Sequence, residues 1–275
     1  MERLYIIPAR DRIEESLSLE MEYGAAFEYN DFCQPTLVDD PVWLENTLAF
    51  YEGLKRNRQN DMLHGAFLDI TIHSDDPCIL RVSAMRVRQS MDIALRLGVR
   101  GVVFHTNFIA NFRNEGYRQG WLQKNAAFWS ELLREYPSLD IYIENMFDAE
   151  PELLVLLAER MKHEERFGVC FDYAHAAISP TPLQVWVEAL APFVKHVHIN
   201  DNDRISDLHE QVGSGCIDWA EFNLLMRKHK IGASVLIESP NPESQRKSLE
   251  YLKARALFPF EGGSGGVFIN KNYGK

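Results

Sequence analysis

Eight short runs rich in apolar, β-branched and aromatic residues recur along this chain, each separated from the next by a longer amphipathic stretch. Strand-like runs that alternate with helical periodicity from end to end predict a parallel sheet joined by crossover helices. The strands are expected near Leu4 to Ile7, Ala25 to Tyr29, Met62 to Leu68, Gly101 to His105, Ile141 to Glu144, Gly168 to Asp172, Val194 to Ile199 and Ser234 to Glu238. Eight such units in about 250 residues is the count and size of a closed barrel. A doubly wound open sheet also alternates, but polar residues end so many consecutive strands here that closure is the better reading. The expected fold class is therefore α/β, a single (β/α)₈ TIM barrel over residues 1–256 without an internal linker. Past about Ala256 the pattern stops, and 257–275, with Gly262-Gly263-Ser264-Gly265-Gly266, is expected to be a flexible C-terminal tail.

Helix-start chemistry falls where the alternation requires it. Asp40-Pro41 places an N-cap before a first-turn proline, Thr181-Pro182-Leu183-Gln184 and Asp218-Trp219-Ala220-Glu221 have capping-box form, and Asn241-Pro242 opens the last helix. Met85, Val87, Met91, Ala94 and Leu95, before Gly98, are expected to face the core.

In a parallel barrel every strand C-terminus opens onto one face, so terminal residues converge on a common pocket. The ends here are His64, His105, Glu144, Asp172 with His175 three residues on, His198 with Asn200 and Asp201, and Glu238; Asp207 and His209 sit in the loop beyond His198. Five of the nine histidines fall at such positions. Any one of them alone is more often a hydrogen-bonded rim residue or a helix cap than a ligand. Four carboxylates close together are a different matter, because burying them is strongly unfavourable unless a cation or protonation offsets the repulsion. Imidazoles mixed with carboxylates suit a borderline divalent ion such as zinc or manganese. His196, two residues before His198, points the same way one layer deeper, as core first and as a hydrogen-bond partner of the site second. His73, His163 and His229 stand among charges and are expected to be solvated, as are Asp75-Asp76 and Glu164-Glu165.

The remaining composition excludes more than it assigns. No stretch approaches the roughly 20 apolar residues of a membrane helix, and the N-terminus lacks a signal-peptide h-region, so a cytoplasmic location is expected. Cys33, Cys78, Cys170 and Cys216 have no CxxC spacing and are expected to be buried thiols. A formal charge of −11 disfavours nucleic acid as a partner. Phe32, Phe108 and Phe112 lie in loops where they would line a pocket or a subunit contact, which leaves a homo-oligomer open.

In order along the chain, His64-Gly65-Ala66-Phe67, Val103-Phe104-His105, Ile143-Glu144-Asn145, Phe171-Asp172-Tyr173-Ala174-His175, His196-Val197-His198-Ile199-Asn200-Asp201, Asp207-Leu208-His209 with Gly213-Ser214-Gly215-Cys216-Ile217-Asp218, and Ile237-Glu238-Ser239 resemble the xylose isomerase-like metal-dependent barrels. That superfamily includes sugar phosphate isomerases and epimerases, inosose dehydratases and endonuclease IV, and the likeness covers nearly the whole chain. By position it implies a one-metal site at Glu144, Asp172, His198 and Glu238. His64, His105, His175, Asp207 and His209 match the remaining ligands of the endonuclease branch's three-zinc cluster. The resemblance thus implies a divalent cofactor, Mn, Zn, Mg or Co, with one ion expected and up to three accommodated.

The implied activity is isomerisation, epimerisation or dehydration of a ketose, sugar phosphate or cyclitol, by proton abstraction next to a metal-bound carbonyl through an enediolate. Glu144 and Glu238 are the expected bases. His175 would orient a substrate oxygen, with Arg204, Asn145 and His64 as further substrate contacts; Arg204 serves equally well as a surface charge paired with Asp201 or Asp203. The competing expectations are an endonuclease IV-like zinc phosphodiesterase, which the complete ligand list favours and the acidic loop around Asp75-Asp76 opposes, and a non-catalytic metal-binding barrel.

Overall fold

In a computed structural model describing residues 4–110 and 112–260, the eight runs form one closed parallel barrel in sequence order. The elements are β1 Leu4–Ile6, α1 Ile13–Tyr23, β2 Ala26–Tyr29, α2 Pro35–Val38, α3 Pro41–Gly53, β3 Met62–His64, α4 Pro77–Leu97, β4 Gly101–His105, α5 Glu115–Glu135, β5 Asp140–Glu144, α6 Glu152–Met161, β6 Phe167–Asp172, α7 Tyr173–Ile178, α8 Leu183–Leu190, β7 Val194–Ile199, α9 Trp219–Lys228, β8 Ser234–Ile237 and α10 Pro242–Ala254. Pairing of β1 with β8, Tyr5 opposite Leu236, closes the ring. The fold is the expected (β/α)₈ TIM barrel. Among the described residues no helix is long and apolar enough to cross a membrane.

Side-chain alternation sorts each strand into two populations. Val102 and Phe104 of β4 pack outward into the large core between sheet and helices, while Val103 joins Tyr5, Ala26, Met62, Tyr142, Cys170 and Leu236 in a separate cluster inside the barrel. Two residues further along every strand but β1, where Ile7 follows Tyr5, the same inward face carries Glu28, His64, His105, Glu144, Asp172 and Glu238, with His198 following His196 on β7 in the same way. A period of two therefore builds an apolar floor and a polar ceiling from the same strands. All seven ceiling residues are buried.

Several local expectations need correction. β3 ends at His64, not Leu68, because the Ala66 amide turns away to the Ser90 hydroxyl of α4 at 3.0 Å. Asp40, Asp218 and Asn241 cap α3, α9 and α10 through their side chains, but Thr181 does not cap α8; its hydroxyl donates to the Ala149 carbonyl at 2.7 Å. Val87, Met91 and Ala94 face the core with Ser90 and Leu97, whereas Met85 and Leu95 are exposed, lying off the 87/91/94 stripe at 100° per residue. Of the cysteines, Cys170 is buried and Cys33 half-buried, while Cys78 and Cys216 are exposed. Leu257 and Phe258 pack into the core, and the Gly-rich part of the expected tail lies outside the described residues.

His163 is exposed as expected, but His229 is half-buried and His73 is buried. The His73 ring packs against Tyr117 and Trp121, with Nε2 3.2 Å from the Tyr117 hydroxyl. Burial, and then the Lys124 ammonium, push its pKa down to about 4. Between the ordinary value near 6.5 and about 4, the unfolded chain binds a proton there that the folded chain refuses. Stability supplied by neutral His73 is therefore complete above pH ~6.5 and lost as the pH falls through 4. A His73→Asn variant should lose part of the wild-type stability slope between pH 7 and 4 in urea unfolding; parallel curves for the two proteins would refute this.

Candidate metal centre

The strand ends bring together every strand-end ligand expected from the sequence. His64 Nε2 lies 3.1 Å from His105 Nε2, and the two nitrogens stand 3.9 and 3.3 Å from Glu144 Oε2. His198 Nδ1 is 3.1 Å from the same Glu144 oxygen and 3.5 Å from Glu238 Oε2. On the other side, His175 Nδ1 is 3.3 Å from Glu144 Oε1 and 3.7 Å from Asp172 Oδ2. Asp207 Oδ2 receives His175 Nε2 at 3.3 Å and His209 Nε2 at 3.1 Å. Donor atoms thus fall into groups within 4.8 Å of one another: His64, His105 and Glu144; Asp172, His198 and Glu238; His175, Asp207 and His209; Glu144, Asp172 and His175; and, one layer deeper, Cys170, His196 and His198. Glu144 is the carboxylate all of them adjoin.

Local structure fixes these orientations. Asp172 caps α7, its Oδ1 accepting the His175 amide at 2.6 Å, which turns Oδ2 into the pocket. Asn145 exchanges two hydrogen bonds with the Asp172 backbone, at 2.8 and 2.9 Å, and its carbonyl lies 2.9 Å from His175 Nδ1. With Nδ1 directed at that carbonyl, Nε2 is the nitrogen that faces Asp207. Asp207 and His209 ride on the loop after β7, and that loop is tied down by Asp201. The Asp201 Oδ1 accepts from the amides of Asn202 and Ile217, at 3.0 and 3.1 Å, and Oδ2 from the Gly213 amide and the Trp219 indole, both at 2.8 Å. Asn200 is buried with its amide 3.5 Å from Glu238 Oε2. Arg204 is exposed, with φ +63°, and among the described residues forms no ion pair with Asp201 or Asp203. Of the loop aromatics, Phe32 is buried and Phe112 half-exposed.

The electrostatics are those of a site in want of positive charge. Burial opposes ionisation of Glu144, yet the imidazoles of His198 and His105 hold its carboxyl well below the ordinary range. Burial, aided by Glu238 and Glu144, pushes Asp172 up to about 8 despite His175. Burial lowers the affinity of His209 for a proton, but Glu238 and Asp207 outweigh it and raise its pKa to about 10. His175 and His198 are raised as well against the same opposing burial, His175 chiefly through Asp172 and His198 through Cys170 and then Glu144. Even so, both oxygens of Glu144, Asp172 Oδ2, Asp207 Oδ1 and His198 Nδ1 are buried without a hydrogen bond. Such atoms cost roughly 1–3 kcal/mol each, and a divalent cation bound by nitrogen and carboxylate oxygen satisfies them together. The donor set fits the cofactor.

One ceiling residue was missed by the sequence reading. Glu28, fully buried on β2 between Phe27 and Tyr29, stands 3.0 Å from His196 Nε2 and 3.1 Å from His198 Nε2. A carboxylate in an otherwise apolar strand was the available signal, since β2 is inward-facing at Ala26 and so at Glu28. His196 is accordingly more than core: its other nitrogen meets the Ser234 hydroxyl at 2.6 Å.

Comparison with known proteins agrees with this architecture. A chain of 26% identity over 245 residues, covering 79% of this protein and 83% of the other, is the probable endonuclease 4 of Geotalea daltonii. Among solved structures, the TTHB071 protein of Thermus thermophilus, soaked with ZnCl2, superposes with a TM-score of 0.72 at 23% identity, covering 92% of this chain and 98% of that one. A D-tagatose 3-epimerase-like protein superposes with a TM-score of 0.69 at 21% identity, covering 92% and 96%. The model of the xylose isomerase-like TIM barrel family matches residues 27–255, from Phe27 on β2 to the end of α10. With that span, the closed eight-stranded ring and the clustered imidazoles and carboxylates at the strand ends, this chain belongs to the xylose isomerase-like TIM barrel family.

Proposed function

We propose that this protein is a divalent-metal-dependent isomerase, epimerase or dehydratase that moves a proton on a carbon next to the carbonyl of a ketose, sugar phosphate or cyclitol. The observation that carries the reading is the approach of two buried carboxylates, Glu144 and Glu238, to one nitrogen of His198 at 3.1 and 3.5 Å. Paired carboxylates facing one small space suit removal of a proton from one side of a carbon and its return to the other. Glu144, Asp172, His198 and Glu238 would hold the cation, which when bound supplies Lewis-acid polarisation of the substrate carbonyl. Glu144 and Glu238 would then exchange protons with the reacting carbon; the Glu144 oxygen turned away from His198, Oε1, stands 3.3 Å from His175 Nδ1. His175 and His64 present imidazoles to substrate oxygens, and exposed Arg204 supplies a guanidinium for a hydroxyl or phosphate. Asn145 acts through the backbone of Asp172, which it holds. The epimerase-like relative shares the scaffold, and the charge of −11 favours a small substrate over a polyanion.

A second reading is favoured by one specific observation: the groups around His64 and His105, and around His209, are complete. Three cations there would suit phosphodiester hydrolysis, and the relative named a probable endonuclease 4 supports it. One experiment separates the two. Protein loaded with Mn²⁺ or Zn²⁺ is incubated in D₂O with a panel of ketoses and cyclitols, and with an abasic-site oligonucleotide, while bound metal is counted. Deuterium entering a position next to a carbonyl is the expected result. Strand cleavage by a protein with about three zinc ions per chain, and no exchange on any sugar, would overturn it.

A further inference from the structure

The carboxylate of Glu28 has no cationic Lys or Arg partner among the described residues; its two neighbours are the imidazoles of His196 and His198. All three residues are fully buried. His196 Nε2 takes Glu28 Oε2 at 3.0 Å, and the Ser234 hydroxyl at 2.6 Å accounts for the other nitrogen of that ring. Glu28 Oε1 is left 3.1 Å from His198 Nε2, and neither atom has any other hydrogen-bond partner. The opposite edge of the His198 ring, Nδ1, points at Glu144 and Glu238.

We infer that Glu28 is the positioning residue of the metal centre: by accepting the Nε2–H of His198, it presents the Nδ1 lone pair to the cation. The inference rests on the metal reading above, though not on any choice of substrate. A histidine that binds metal through one nitrogen needs the other one protonated and directed, and a carboxylate does this better than a carbonyl or water. Here the carboxylate is itself held by a second imidazole and by its place on a barrel strand, so the chain Ser234, His196, Glu28, His198 crosses the barrel interior from β8 by way of β7 and β2 and returns to β7. Rotation of the His198 ring would break the contact at both ends. Glu28 touches neither substrate nor cation; its effect is exerted through His198.

The test uses the whole chain and the metal alone. Zn²⁺ and Co²⁺ affinities are measured by chelator competition for wild type, Glu28→Gln and His196→Gln, alongside thermal unfolding of each in the metal-free state. The expected result for Glu28→Gln is a roughly 10–100-fold weaker affinity confined to one cation position, with an altered Co²⁺ visible spectrum. Nitrogen-15 spectra of the zinc-loaded protein should show His198 protonated at Nε2 in wild type and lose that signature in the variant. His196→Gln, which removes the anchor and leaves the ligand, should shift affinity in the same direction by less, and it keeps the question open to measurement if Glu28→Gln fails to fold. Affinity and spectrum unchanged in a variant whose metal-free stability falls would make Glu28 a structural counter-charge and overturn the inference while leaving the metal reading intact. A wild-type protein that binds no divalent cation would overturn both.

Discussion

Replacing Glu144 by glutamine is expected to lower turnover by about 10²–10⁴-fold, the usual contribution of a positioned acid or base, and to reduce the amount of metal retained after purification. The double effect follows from where the carboxylate stands. Oε2 is 3.3 Å from His105 and 3.1 Å from His198, and Oε1 is 3.3 Å from His175, so three imidazoles from three different strand ends share one side chain. The amide keeps the shape but not the charge. It supplies one weakly basic oxygen where two anionic ones stood, and puts N–H donors against ring nitrogens that would otherwise face a cation. Metal loss is therefore expected to be larger than with Glu28→Gln, which leaves every ligand in place. Metal content per chain and solvent-deuterium exchange on an active sugar check the two halves separately, and exchange at the wild-type rate would remove Glu144 from its role as a base.

Asp201→Ala is expected to cost about 3–5 kcal/mol of folding stability and to release Asp207 and His209 from their place beside His175. The fully buried carboxylate satisfies three amides and the Trp219 indole, and each buried donor left without an acceptor costs roughly 1–3 kcal/mol. Partial collapse and entry of water bring the total below the sum of four. Main-chain bonds between Asp201 and Glu210, at 2.9 and 2.8 Å, hold the far end of the segment that carries Asp207 and His209. Gly215 lies so close that a Cβ there would collide with Asp201 Oδ1, and Gly213 has φ +88°, so the loop is shaped around this one carboxylate. Urea unfolding at pH 7 and metal titration measure the outcome. A loss under 1 kcal/mol with unaltered metal binding would show that the loop holds itself.

Much of this was legible in the chain. The alternation of strand and helix signals located all eight strands, and reading their last residues located Glu144, Asp172, His198 and Glu238 in one place, because closure of a parallel barrel leaves strand ends nowhere else to go. What escaped notice depended on contacts between distant segments. Glu28 looks unremarkable beside Phe27 and Tyr29 until β7 brings His196 and His198 against it from 168 residues away in the case of His196. His73 stands next to Ser74, Asp75 and Asp76, a polar neighbourhood by sequence, yet Tyr117 and Trp121 of α5 cover its ring. Met85 and Leu95 carry apolar side chains on the face of α4 that tertiary packing did not use. Asp201 was grouped with the polar strand ends, but its carboxylate instead accepts from three amides of its own loop and the indole at the start of α9, which no spacing rule announces.

The floor and ceiling inside this barrel are only two residues apart along each strand, about 6.6 Å of chain. The lower tier is an apolar cluster of seven residues with His196 beside it, and Glu28 is the upper-tier group that reaches down to that ring. Apart from Glu28, which holds His196 of the lower tier at 3.0 Å, a donor on the upper tier can be exchanged with little demand on the apolar packing beneath it. A scaffold divided in this way lets the polar tier vary by point substitution while folding is left largely to a neighbouring set of side chains.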